Sequence, residues 1–259
     1  MLSWRARRQL TVILIILLLV GGITVYAIWK VFPASSCIDG KKNQGELEID
    51  CGGPCGPCEL KHPQAIEKFW ARAVPIGGNK YDIAAEIKNS NEVLFSAQVR
   101  YEFILADEFG IISQREGETF IYPQERMHVI EANLEAGRAP SRVEFKITGV
   151  EWQYQKLENP NLVTERRDYQ IVSVGNLKQS VVDAQILNRS PQDFPDVEVG
   201  FLLLDQDGNI LGANRVSTGA FLSGEHKKVK SIWPQEFSKT PANILVEPRV
   251  NPVLVNPHT

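Results

Sequence analysis

Cysteine is missing from this 259-residue chain except within positions 37–58, so no disulfide can brace the long region that follows. The four histidines, His62, His128, His226 and His258, never fall at His-x-x-x-His spacing, which removes the helical zinc motif. There is no Gly-x-Ser-x-Gly elbow and no phosphate-cradling glycine loop, so acyl-transfer and nucleotide chemistry have no motif to rest on. A formal net charge of −3, with no basic stripe beyond Arg5, Arg7 and Arg8, argues against nucleic-acid binding. Beyond residue 30 no stretch keeps a helical period, and only 64–73 offers a short helix. These absences lead to the expectation of a non-catalytic protein without a resident cofactor, in which His128 is a strand residue and Asp205 and Asp207 shape a turn.

What the chain has in place of catalytic motifs is an uncharged apolar run over 10–29, preceded by three arginines and closed by Lys30. At about 1.5 Å of rise per residue such a helix spans the roughly 30 Å hydrocarbon core and satisfies its own backbone groups there. The basic start favours a cytoplasmic N-terminus, which places the bulk of the chain outside the cytoplasm. A cleaved signal peptide shares this pattern, and Ala34-Ser35-Ser36 would serve as its cleavage site. The run exceeds the 7–15 apolar residues usual for a signal, and it ends in Tyr26 and Trp29, which suit a membrane interface. Lipidation at Cys37 would leave three cysteines, an awkward number for pairing.

The four cysteines, Cys37, Cys51, Cys55 and Cys58, lie close together, and an extracytoplasmic location favours two disulfides over a zinc site. The stretch holds only Ile38, Leu47 and Ile49 as material for a core, so covalent links must replace burial. Four cysteines allow three pairings, and Cys37 with Cys55 plus Cys51 with Cys58 avoids the shortest loops. Asp39, Asn43, Glu46 and Asp50 place oxygen donors between the first two cysteines, a set able to hold calcium. The EF-hand order is absent, and a solvated acidic loop is the alternative. The segment Cys37-x-Asp39-Gly40 through Asp50-Cys51-Gly52-Gly53-x-Cys55 resembles short cysteine modules of bacterial and archaeal surface proteins, which implies an extracellular structural role.

From about residue 69 the sequence becomes short alternating or aliphatic runs broken by Asn, Asp, Gly and Pro, the pattern of strands. Expected strands are 80–88, 97–106, 117–121, 126–133 and 142–152, then 169–176, 180–188, 197–205, 209–217 and 227–233, with a last one near 243–250. The two series repeat at an offset of about one hundred. Asn89 aligns with Asn188, Val99 with Val197, Phe103 with Phe201, Asp107 with Asp205, Gly110 with Gly208, and Glu125 with Glu225. Asp207-Gly208 between two apolar runs is a hairpin signal, matched more weakly by Asp107-Glu108-Phe109-Gly110. The pattern resembles FxLYD-type and related immunoglobulin-like bacterial domains, which implies two-sheet sandwiches of about seven strands.

The expected fold is therefore all-β with one N-terminal transmembrane helix. The organisation is a cytoplasmic tail over 1–9, the helix over 10–30, the cysteine-rich module over 37–58, and immunoglobulin-like sandwiches over 68–152 and 168–250. A linker over 153–167 and an extended tail over 251–259 complete it. Asn188-Arg189-Ser190 is a glycosylation sequon in form. Such a protein is expected to be integral to the membrane and to bind a protein partner, in adhesion or envelope and surface assembly. The alternative is an accessory subunit of a secretion or envelope-biogenesis complex that acts through its transmembrane helix.

Overall fold

The computed structural model describes residues 4–31, 36–157 and 159–255, so Ala34 and Ser35 of the rival signal-peptide cleavage site, and Pro257 and His258 of the tail, lie outside the described residues. The chain forms two compact units, 1–58 and 59–259. In the first, α1 (Trp4–Val31) runs for 28 residues without an acidic first turn and with Lys30 in its last. Its 21-residue stretch Arg8–Ile28 has mean hydropathy 2.7 and none of it is buried by protein. The Thr24 hydroxyl donates to the Val20 carbonyl oxygen at 2.6 Å, so this polar group is satisfied within the helix.

The cysteine module contains almost no regular structure beyond a bridge between Glu48 and Cys51. Disulfides join Cys37 to Cys55 and Cys51 to Cys58, with Cα atoms 5.6 and 4.9 Å apart. Ile38, Leu47 and Ile49 are all exposed, so the module has no apolar core of its own.

Among the described residues the second unit contains twelve strands in four three-stranded antiparallel sheets. The first copy comprises β1 (Glu67–Gly77), β2 (Lys80–Lys88), β3 (Leu94–Asp107), β4 (Gly110–Ile121), β5 (Arg126–Glu135) and β6 (Arg142–Tyr154). The second comprises β7 (Leu162–Val174), β8 (Leu177–Asn188), β9 (Glu198–Leu204), β10 (Ile210–Ser217), β11 (His226–Trp233) and β12 (Asn243–Arg249). Sheets β1-β2-β5 and β4-β3-β6 of the first copy correspond strand for strand to β7-β8-β11 and β10-β9-β12 of the second. Each copy is thus a sandwich of six strands, one fewer than expected. Its core lies between the sheets: Ile83, Ile87, Val99, Phe103 and Leu105 in the first, Val182, Ile186, Val199, Phe201 and Leu203 in the second.

Three expectations are corrected. Residues 64–73, expected as a short helix, lead into β1, where pairing along β2 from Glu67↔Lys88 to Gly77↔Lys80 overrides local propensity. Pro75 is tolerated there because β1 is an edge strand. The expected linker is mostly strand, since β6 runs through Tyr154 and β7 begins at Leu162. The tail forms a short turn of helix, α2 (Pro252–Val255), with Val255 fully buried. The copies also share a buried interface, which the sequence had left open. Ala84, Ile130, Leu202, Ile210 and Ala213 form a third buried cluster, through which the outer face of β1-β2-β5 packs on β10-β9-β12. This accounts for consecutive burial on both faces of β2 and β9, where a sheet with one solvated face would alternate.

The ends of the pair converge on the first copy. Gln64 donates its N–H to Asn91 Oδ1 at 2.7 Å, and Asn91 Nδ2 donates back to the Gln64 carbonyl at 2.9 Å. At the other end the Tyr122 hydroxyl donates to the Val250 carbonyl at 2.9 Å, and Asn251 Nδ2 donates to the Ala97 carbonyl at 3.1 Å. The Gln124 N–H donates to the Asn91 carbonyl at 3.1 Å, linking the two places.

Candidate functional site

The chemically densest place in the sandwich pair is the junction between the copies, and its centre is Asp82. A bulge in the β2–β5 pairing between Tyr81 and Ile83 sets Asn133 in the left-handed region, which asparagine tolerates, and aims its N–H at Asp82 Oδ1, 3.2 Å away. From the second copy Trp233 Nε1 donates to Asp82 Oδ2 at 2.9 Å and the Ala213 N–H donates at 3.3 Å. Asp82 is 1% exposed. Burial pushes its carboxyl up to about 6, with the three donors pulling the other way. Glycine is required beside it, since a Cβ on Gly212 would stand 2.8 Å from Trp233 Nε1 and 2.6 Å from Phe237 Cζ.

The Asp82 environment fixes the sign of a pH dependence. Between the unfolded value near 3.8 and about 6 the folded chain holds a proton that the unfolded chain has released, so stability falls as pH rises through this window. The expected result is about 2 kcal/mol more stability at pH 4.5 than at pH 7, read from urea midpoints, with this component absent in Asp82→Asn. Asp107 and Asp205, whose carboxyls are held below the usual range by Arg138 and Lys239, oppose the gain only at lower pH.

Around Asp82 the copies exchange further polar contacts. His128 Nδ1 lies 2.8 Å from Glu247 Oε1, and Arg215 lies 3.5 Å from Glu131 and 3.3 Å from Glu198. Glu131 also accepts from the Tyr101 hydroxyl at 2.7 Å, and burial raises the Tyr101 phenol well above its ordinary value. At the end of the junction Arg249 forks onto Glu125 at 3.0 and 2.9 Å, donates to the Phe120 carbonyl at 2.7 Å and covers the Phe120 ring. Its remaining Nη1 is buried and finds no acceptor among the described residues. Beside it Tyr122, Pro123, Pro160 and Pro248 line a cleft of about 330 Å³. His128 is therefore a junction residue, while His226 pairs with Glu165 at 2.8 Å on the second copy.

The repeat is legible as matching hydrogen bonds. Asn89 Nδ2 donates to the carbonyls of Leu94 and Tyr122 at 2.7 and 2.8 Å, and Asn188 Nδ2 to those of Gln192 and Phe221 at 3.0 and 3.3 Å. Asn188 is fully buried, so the sequon it begins offers no accessible amide in the folded chain. Glu125 and Glu225 each accept from the N–H three residues earlier, Tyr122 and Leu222, at 2.8 Å. Asp107 and Asp205 accept the N–H two residues on at 2.9 Å, and each is held by a cation preceding the last strand of its copy, Arg138 and Lys239, at 2.7 and 2.6 Å. Asp207 lies on the same turn, 3.4 Å from Lys239, a structural use of both carboxylates.

In the cysteine module, Asp50 Oδ1 accepts the N–H groups of Asp39 and Gly40 at 2.9 and 3.0 Å. Asp39 accepts the Lys41 N–H and Asn43 Nδ2, both at 2.9 Å, and the Asn43 contact leads the lowering of its carboxyl. Glu46, nearly buried, accepts the N–H groups of Asn43 and Asp50 at 3.2 Å. The acidic side chains thus fold the loop by capping its backbone. Among the described residues the metal-sized cluster that forms is Glu48, Cys51 and Cys58, whose sulfurs are joined in a disulfide rather than available as thiolates.

The junction was not foreseen from sequence, because Asp82 and Trp233 lie 151 residues apart and neither belongs to a motif. The available signal was the unbroken apolar stretch of β2, Ile83-Ala84-Ala85, which marks a strand buried on both faces. Neither protein-family comparison nor a search of curated proteins finds a match to this chain.

Proposed function

We propose that the chain is a single-pass membrane protein, N-terminus in the cytoplasm, whose extracytoplasmic part is a non-catalytic binding and scaffold device for adhesion or for assembly of the envelope or surface. The observation that carries this reading is α1, whose 21-residue apolar stretch has no protein cover and needs a lipid environment to satisfy its surface. Two disulfides immediately after it support an oxidising compartment. The six-strand repeat with an aspartate-held hairpin in each copy supports placing both sandwiches with the FxLYD-type immunoglobulin-like domains they resemble. The cleft beside Arg249 and the open sheet edges are the surfaces such a protein offers to a partner.

Deletion of 68–250 with the anchor and cysteine module retained is expected to abolish capture of envelope or surface proteins from native membranes, as read by mass spectrometry. Capture equal to that of the full chain would overturn the reading and favour action through the transmembrane helix.

A further inference from the structure

Among the described residues eight strands form sheet edges, and each carries a device against further pairing, though on β7 the devices are confined to its first part. β1 has Pro75 and two register shifts, β12 has Pro248, and β11 has Lys227, Lys228 and Lys230. β4, β5 and β6 each hold several charged residues, and β10 is short and carries Arg215. β7 differs. From Tyr169 through the Gly175-Asn176 turn to Leu177 there is neither a charge nor a proline, and four of these residues are β-branched or aromatic. Its pairing with β8 is regular from Arg166↔Gln185 to Val174↔Leu177, with no bulge to twist the edge away. Among the described residues its backbone groups over 166–174 bond to no strand but β8.

This end of the sheet also exposes apolar surface. Ile171, Val174, Leu177 and Ile232 are 45–65% exposed. Its counterpart in the first copy, the β1–β2 hairpin, is covered: Ile76 is buried in the core of the second copy, and Gln235 Nε2 donates to the Pro75 carbonyl at 3.2 Å. The same hairpin is thus a docking element in one copy and, among the described residues, exposed in the other.

We propose that the β7 edge over 169–174 is a strand-addition site occupied by β7 of a second copy, joining two β11-β8-β7 sheets into one antiparallel six-stranded sheet. Antiparallel pairing of a strand with itself is self-complementary about a twofold axis, so each free donor meets a free acceptor. The absence of charge removes the repulsion that like residues would otherwise bring face to face. The second copy is the occupant because it presents the same uncharged, regularly paired segment over 169–174, which matches itself in antiparallel pairing. The proposal goes beyond the anchored-scaffold reading and does not depend on it.

The test uses the full chain in detergent micelles with Ser173→Cys and a short bis-maleimide cross-linker. The native cysteines are all in disulfides, so the new thiol is the reactive one. Gln114→Cys on the charged β4 edge is the control. The expected result is a covalent dimer through residue 173, a light-scattering mass of two chains, and at least about a tenfold lower cross-link yield when Ile171→Lys is added with the thermal midpoint unchanged. Should Ile171→Lys disturb folding, Gln170→Lys repeats the charge test at another exposed position. Equal yields at 173 and 114, a monomeric mass, or a dimer indifferent to the lysine would each overturn self-pairing. So would a monomer whose β7 edge is filled by an extended segment of another protein.

Discussion

Trp233→Ala is expected to cost about 3–5 kcal/mol of unfolding free energy, the range for deleting a fully buried aromatic side chain. Trp233 is 1% exposed, packs on Phe237 with ring centres 5.4 Å apart and supplies one of three donors to Asp82. The substitution opens a cavity in the second copy and takes a partner from a buried carboxylate of the first. Trp233→Phe separates these effects, since it keeps most of the volume and loses the N–H, with an expected cost of about 1–3 kcal/mol. In both variants the two sandwiches should unfold together, because the third cluster joins them. The check is denaturant unfolding followed by fluorescence and by circular dichroism. Two separated transitions in the wild-type chain would show that the junction does not couple the copies.

Removing the Cys37–Cys55 disulfide as a serine pair is expected to unfold the cysteine module, with about 3 kcal/mol lost by the chain-entropy relation for a loop of this length. Besides the Cys51–Cys58 disulfide the module has little to fall back on, because its three large apolar side chains are exposed and its carboxylates cap loop amides that persist only while the loop holds its shape. Gly53 shows how closely the loop is folded, since a Cβ there would stand 2.4 Å from the Gly45 carbonyl oxygen. Hydrogen exchange should show amides over 39–55 losing protection in the variant. The sandwiches, which contain no cysteine, should retain theirs. Preserved protection in the module would mean that capping and turns suffice without the cross-link.

The strand pattern was legible because alternation and turn residues act locally. β2 matches its expected bounds, and the repeat aligned Asn89 with Asn188 and Asp107 with Asp205, pairs that make equivalent hydrogen bonds. What stayed hidden depends on distant partners. The segment entering β1 lacks strict alternation, and its strand identity comes from β2 and from the second copy that buries Ile76. Asp82 in isolation reads as one charged residue in a strand, while its role rests on Trp233 and Ala213 from far along the chain. Of the four residues whose spacing could hold calcium, Asp39, Glu46 and Asp50 accept backbone amides, while the buried Asn43 Oδ1 meets no hydrogen-bond partner among the described residues, neither of which spacing reveals.

The closeness of Gln64 and Val250, both held by the Asn91 and Tyr122 region, bears on how the pair carries tension. In beads on a string, force applied at the two ends passes through each bead in series. Here both attachment points grip one corner of the first sandwich and Val250 is also packed in the core of the second, so a pull between them loads the loops at 91 and 122–124 together with the edge of that core. Cargo attached after residue 255 would gain little reach from the two domains before it, because the ends of the pair lie close together.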